Sequence, residues 1–199
     1  MVTVSSSRVA SAPHDLADRE LVKRVCDGET KYFEEIVRRH QTKIFAYVYR
    51  FLNGRRDDAL DVVQNTFIKA YENLKSFNRR RKFTSWLYRI AHNEAINFLK
   101  HERRRATISL DDNPAIEQSL YTENNQHDYI LAREGRVMVE ETLAALPPKY
   151  REALILRFIE DRTYEEMSAI LQKPISTIGT LLNRGRQKFE KQLNKKVDK

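Results

Sequence analysis

The chain has 199 residues, with 36 Lys or Arg against 28 Asp or Glu and a formal net charge of +8. That length allows one large domain or two small ones, and 41% hydrophobic residues suffice for real cores. No apolar run approaches the ~18 residues that cross a bilayer, and the mean hydropathy is −0.66, so no membrane insertion is expected. The single cysteine, Cys26, excludes an intramolecular disulfide and a Cys-based zinc cage. This usage fits a reducing cytosol. The basic balance favours a polyanionic partner, most commonly nucleic acid; the bland alternative is a solvated basic surface.

Residues 1–15 are Ser/Ala-rich without a continuous apolar stretch, which reads as a disordered tail and not a secretory signal. A short helix is expected from about Leu16 to Cys26, with Cys26 beside Val22 and Val25 on an apolar stripe as a buried structural thiol. Asp27-Gly28 breaks it. From Phe33 the apolar residues Ile36, Val37, Ile44, Tyr47, Val48, Phe51 and Leu52 recur at three-four spacing, giving one long amphipathic helix that stops at Asn53-Gly54. A third helix is expected from about Asp57 to Leu74. Its buried stripe is Leu60, Val63, Phe67, Ala70, Tyr71 and Leu74, and Asp57, Asp61, Gln64 and Ile68 form the opposite face.

Ser76 to Lys82 reads as a loop holding Arg79, Arg80, Arg81 and Lys82, followed by a basic-ended helix from about Thr84 to Arg104. Part of that terminal charge can be explained as dipole compensation alone. Between Ala106 and Ala132 there is no Lys or Arg, while Asp111, Asp112, Glu117, Glu123 and Asp128 are present. Such a gap in so basic a chain marks an acidic linker, residues 106–128, between two cationic modules. Helical pattern resumes near Tyr129 and runs to Leu146. Pro147-Pro148 opens another helix with an apolar ridge of Tyr150, Leu154 and Phe158.

Thr163-Tyr164-Glu165-Glu166 has the capping-box pattern. Met167, Ile170 and Leu171 follow, Gln172-Lys173-Pro174 interrupts, and Ser176 is placed to cap a second helix carrying Ile178, Leu181 and Leu182. Two short helices with such a break form a helix-turn-helix pattern, although a plain helical hairpin explains the periodicity equally well. The outward residues Thr177, Thr180, Asn183, Arg184, Arg186 and Lys188 suit a major groove, where Asn and Arg contact bases and Lys and Arg contact phosphates.

Three segments together resemble the extracytoplasmic-function (ECF) sigma factors of the sigma-E type, the small promoter-recognition subunits of bacterial RNA polymerase. DDALDVVQNTFIKAY, from Asp57 to Tyr71, is similar to the family's region 2 signature, roughly DAEDLVQETFLKAY. FTSWLYRIAHN, from Phe83 to Asn93, resembles its FxTWLYRIAxN block, and Leu146 through Arg186 resembles region 4. The resemblance spans about Leu16 to Leu193. It implies an all-α protein of two small helical domains joined by a flexible linker: region 2 over 16–105 and a helix-turn-helix region 4 over 129–193, then a tail over 194–199.

By this resemblance, Asp57, Asp58, Asp61 and Gln64 bind the β′ coiled coil of core RNA polymerase. Asp57 and Asp58 can alternatively cap their helix. The resemblance assigns Arg79, Arg80, Arg81, Lys82, Trp86, Arg89 and Asn93 to melting and reading the −10 element. An extruded base needs a hydrogen-bonding pocket and a cationic rim. Trp86 and Phe83 can equally be core residues, and Arg89 a structural ion-pair partner. Ser176, Thr177, Thr180, Asn183, Arg184, Arg186 and Lys188 are assigned to the −35 duplex. Gln172 and Ser176 replace usual glycines, and Gly179 and Leu181 stand at usually basic positions, which implies weaker or differently specified −35 contacts; Asn65 also replaces a usual Glu.

Further expectations from the resemblance are contact with the β flap, a linker threading the RNA exit path, and an anti-sigma partner. They include action in the cytoplasm at the nucleoid, with no cofactor, no metal and no enzymatic activity. The scattered histidines 14, 40, 92, 101 and 127 offer no HExxH-like pair. Two other classes remain beside this one: a stand-alone helix-turn-helix regulator acting without polymerase, and an enzyme such as a nuclease.

Overall fold

The structure, a computed structural model, describes residue 14 and residues 16–108 and 128–197. Among them are eight α-helices and no strand: α1 Asp18–Cys26, α2 Tyr32–Phe51, α3 Arg56–Asn73, α4 Phe83–Ile108, α5 Asp128–Ala144, α6 Pro148–Leu154, α7 Tyr164–Leu171 and α8 Ile175–Val197. The all-α class read from the sequence is the class of the molecule. The N-terminal tail (His14 apart) and most of the acidic linker lie outside the described residues. α4 continues past the expected end to Ile108, and α8 carries the chain as helix through residues expected to form a tail.

Local chemistry explains the breaks. Gly28 (φ 101°) ends the first turnaround, and Asn53 (φ 59°) with Gly54 (φ 79°) ends α2, all in the left-handed region that L side chains avoid. Pro147 precedes α6 and Pro148 is its first residue, where the missing N–H costs nothing. The α1–α2 corner is held by charge. Asp18 accepts from His40 at 2.8 Å and Arg39 at 3.1 Å. Glu35 accepts from Arg38 at 2.7 and 2.8 Å and from Arg39 at 2.7 Å, and these guanidinium bonds hold its carboxyl down at about 2.

In the N-terminal half, Leu21, Ile36, Ile44, Tyr47, Val48, Phe51, Ala59, Phe67, Leu87 and Tyr88 form the core. In the C-terminal half, Tyr150, Leu154, Ile155, Met167, Ile170, Ile178 and Leu182 do so. Gly185 is buried where α8 crosses α6, and a Cβ there would stand 3.3 Å from Leu154 Cγ. The halves are in contact. α7 packs on α4, and α6 and the turn after it pack on α2.

Two apolar stripes differ from expectation. On α3 the buried residues are Ala59, Val62, Val63, Thr66, Phe67 and Ala70, whereas Leu60 (47% exposed) and Tyr71 (46%) lie at the surface. The buried arc of the helix is centred on the 59–63–66–70 row, which turns Leu60 and Tyr71 to its edge. Phe158, expected on a buried ridge, is 62% exposed. Here α6 widens into a π-helical turn, Ile155–Ile159, closed by Glu160 N–H donating to the Ile155 carbonyl at 3.0 Å. The extra residue per turn rotates the following side chains off the α-helical stripe, so Ile155 and Leu156 are buried and Phe158 is not.

Candidate nucleic-acid interface

Three surfaces carry the residues singled out in the sequence. The first is on α3. Asp57, Asp61 and Gln64 are exposed one turn apart, with Leu60 and Ile68 interleaved on the same face. Neither aspartate caps the helix, whose N-cap is Arg55 without a side-chain hydrogen bond. Asp58 is instead tied down, accepting from Arg55 Nε at 2.5 Å; Arg55 also pairs with Glu102 on α4. Asp58 therefore braces α3 against α4, and the free acidic groups of this face are Asp57 and Asp61.

The second surface is built by α4 and the loop before it. The amide of Arg80 donates to Asn78 Oδ1 at 3.0 Å and that of Arg81 to the Asn78 carbonyl at 2.9 Å. This Asx-type turn fans Arg79, Arg80 and Arg81 outward, all exposed. Phe83 is buried, with its ring 5.6 Å from both Phe77 and Trp86. Trp86 also stacks 5.1 Å from Phe77 but is only partly buried. Phe83 is thus a core residue, and Trp86 packs against the core while staying partly exposed. Arg89 has no ion-pair partner among the described residues, so the structural ion pair considered for it is not formed. Asn93, one turn further, is exposed.

Trp86, Arg89, Arg81 and Lys82 open into a cleft of about 600 Å³ whose other wall is α7 and its flanks, including Glu165, Glu166 and Gln172. Ser85 also lines it, and its buried hydroxyl has no hydrogen-bond partner among the described residues. Lys82 Nζ meets Glu166 at 3.0 Å across the cleft. Burial opposes ionisation of Glu166, but the Thr163 amide and Lys82 outweigh it and hold its carboxyl below the ordinary range.

The third surface is α8. The capping box that starts the helix-turn-helix is formed as its sequence predicts: Glu166 N–H donates to Thr163 Oγ1 at 3.2 Å and Thr163 N–H to Glu166 Oε2 at 2.9 Å. Gln172 ends α7 in the left-handed region at φ 53°, the conformation a glycine would take without strain. The Ser168 hydroxyl steadies the turn by donating to the Lys173 carbonyl at 2.6 Å. Ser176 does not cap α8. The helix starts at Ile175, and the Pro174 carbonyl accepts from the Thr177 and Ile178 amides at 2.9 and 3.1 Å, which puts Ser176 inside the first turn. Thr180, Asn183, Arg184, Arg186 and Lys188 are exposed and Thr177 partly so. Leu181, at a position expected to be basic in the family, is buried and serves the core.

The sequence reading did not find Glu152, Glu160 and Arg151. No local pattern signals them, because their partners lie across the molecule. Glu152 is 3% exposed and accepts from Tyr47 Oη at 2.5 Å, with His92 Nδ1 also at 2.5 Å. Glu160 accepts from Tyr88 Oη at 2.6 Å. Arg151, buried, donates to the Phe51 carbonyl at 3.0 Å and the Leu146 carbonyl at 3.3 Å, and burial depresses its guanidinium to about 10.

This arrangement of two helical units is matched on both sides by known families: residues 36–105 match Sigma-70 region 2 and residues 136–189 match Sigma-70, region 4. Fold and surfaces together define a sigma-70-type transcription initiation factor. The chain is 37% identical over 182 residues to the ECF RNA polymerase sigma-E factor of Escherichia coli, covering 88% of this chain and 93% of the other. It is 34% identical to that of Haemophilus influenzae, covering 89% and 96%. The chain belongs to the ECF RNA polymerase sigma factor family. Two solved structures are similar throughout. One is CnrH in complex with the cytosolic domain of CnrY, with TM-score 0.65, 25% identity and coverage of 89% of this chain and 97% of that one. The other is the sigma factor RpoE of Bartonella quintana in complex with the anti-sigma factor NepR, with TM-score 0.63, 26% identity and coverage of 85% and 99%.

Proposed function

We propose that this sigma factor brings core RNA polymerase to its promoters by dividing three tasks among the three surfaces. Asp57, Asp61 and Gln64 on α3, with Leu60 and Ile68 between them, dock on the β′ coiled coil. A face mixing acid, amide and exposed aliphatic groups is suited to a protein partner, since the apolar groups supply burial and the charges set register. Asp58 acts on this face indirectly, by holding Arg55.

The α4 cleft receives the −10 strand. Trp86 offers an aromatic ring on which a base can stack, Ser85 and Asn93 offer hydrogen bonds to it, and Arg79, Arg80, Arg81, Lys82 and Arg89 hold phosphates. The outward face of α8 enters the −35 major groove, with Asn183 and Arg184 toward bases and Arg186 and Lys188 toward the backbone. Ser176 and Thr177 sit at the N-terminal end of that helix, where backbone amides face a phosphate. Region 4 also meets the β flap. The chain performs no catalysis of its own; opening of the −10 region is driven by binding energy, in the compartment where polymerase works.

An anti-sigma factor controls the protein. Relatives of matching length have been solved with the cytosolic domain of CnrY and with the anti-sigma factor NepR, and such a partner would compete for the same faces. The observation that carries the reading is the unpaired acidic and apolar face of α3 on the same unit as the tryptophan-lined cationic cleft. A regulator acting alone on duplex DNA needs neither.

Promoter-dependent run-off transcription by core polymerase plus the purified chain tests it. Transcripts are expected, and Asp61→Arg is expected to weaken core binding by at least about tenfold while leaving the helical circular dichroism unchanged. A chain that never binds core yet footprints duplex DNA alone would overturn the reading.

A further inference from the structure

We propose that the cleft between α4 and α7 is a binding site for a free guanine nucleotide: the base stacks on Trp86, Glu165 reads its N1–H and N2–H edge, and Arg81 and Arg89 hold the phosphates. At about 600 Å³ the cleft has the size of a small-ligand site. One wall carries Ser85, Trp86 and Arg89 of α4; the other carries Glu165, Ala169 and Gln172, which recur at three-four spacing on one face of α7. Ser85 and Ala169 are small, which leaves room for a flat ring between the helices.

The polar groups of the cleft divide into those already used and those left over. Lys82 and Glu166 neutralise each other at 3.0 Å. The Thr163 hydroxyl caps α7, and that of Ser168 donates to the Lys173 carbonyl. Arg81, Arg89 and Glu165, in contrast, form no ion pair among the described residues. The Ser85 hydroxyl is buried and has no hydrogen-bond partner among them, a state that costs stability until a ligand atom satisfies it. Gln172 is held at φ 53°, a left-handed conformation that is strained for any residue but glycine, and it too lines the cleft.

These leftovers select a ligand. An indole surface takes any base by stacking, so Trp86 supplies affinity without choice. The choice falls to Glu165. Guanine presents two adjacent donors, N1–H and the N2 amino group, which one carboxylate accepts as a pair. Adenine places a bare acceptor, N1, on the same edge, and an ionised carboxylate repels it. Glu165 is ionised at neutral pH, since its own backbone amide and the Thr163 hydroxyl hold its carboxyl below the ordinary range. Two guanidiniums then match a diphosphate.

The nucleotide site stands on the cleft alone; its consequence for DNA rests on the function proposed above. Trp86 and Arg89 serve both ligands, so the nucleotide and the −10 strand exclude one another. The full chain is titrated with GDP, ADP and pyrophosphate by calorimetry, and the fluorescence of Trp86, the only tryptophan, is read in parallel. GDP is expected to bind as one nucleotide per chain, to quench Trp86, and to bind at least about tenfold more tightly than ADP or pyrophosphate. Glu165→Gln should weaken GDP binding about tenfold and bring GDP and ADP within about twofold of each other. Gln172→Gly should raise the melting temperature, because glycine adopts the left-handed turn without strain, and yet weaken GDP binding about threefold.

No saturable GDP binding up to millimolar concentration would overturn the site. Equal binding of GDP, ADP and pyrophosphate would reduce it to an adventitious ion only and overturn it as well. So would an unchanged GDP affinity in both variants with helical content intact. GDP should also displace a labelled oligo-dT strand, which carries no guanine. A strand that stays bound in saturating GDP would leave the nucleotide site standing and remove the −10 strand from the cleft.

Discussion

The two basic surfaces of this chain are built from the same residue types and left in opposite states. On α8, Asn183, Arg184 and Arg186 are exposed along a convex helix, and exposed Lys188 lies over the Tyr150 ring at 5.7 Å. On α4, Trp86, Arg89 and Lys82 sit at a concave wall that faces region 4 across a cleft, with Lys82 already paired to Glu166. The difference follows from what each surface has to receive. A duplex groove accepts a protruding helix whose side chains need only reach base edges. An extruded base requires a pocket, and the protein's own carboxylates can fill a pocket far more readily than they can cover a ridge.

The largest expected effect comes from the convex side. Arg184→Ala combined with Arg186→Ala should weaken duplex −35 binding by roughly tenfold to a hundredfold at fixed salt, and make the salt dependence shallower by about one in slope, for the phosphate contact of Arg186. A titration of the free chain over several salt concentrations reads both. Equal loss at the −10 element would erase the distinction between the surfaces. On the concave side, Asn93→Ala should act on selectivity alone. In the holoenzyme the preference for the native −10 sequence over single-base changes should fall by about tenfold at one position. A uniform loss across all promoters would mean that Asn93 supports the helix and reads nothing.

Periodicity found the helices because their buried faces recur at three-four spacing, and the capping box at Thr163 and Glu166 formed as its pattern predicts. What it missed has two physical sources. A π-helical turn at Ile155–Ile159 changes the angular step, so Phe158 leaves the stripe that a regular helix would give it. The roles of Glu152, Glu160 and Arg151 depend on partners about a hundred or fewer positions away in sequence, such as Tyr47 at a separation of 105, and no local pattern encodes such a pairing. Two ambiguous residues were separated by packing: Phe83 is enclosed by Phe77 and Trp86, while Trp86 stays partly exposed. Asp58 looked equivalent to Asp57 in sequence. The proximity of Arg55 makes it a brace instead.

Because Trp86 is the sole tryptophan, fluorotryptophan incorporation places a single fluorine at the cleft between α4 and α7, where NMR reads it. The expected course is one resonance in the free chain, a shift when unlabelled core polymerase is added, and a second shift when promoter DNA follows. The second shift corresponds to the cleft being filled by the −10 strand. A fluorine that moves with neither core nor promoter would contradict the use of the cleft for the −10 strand.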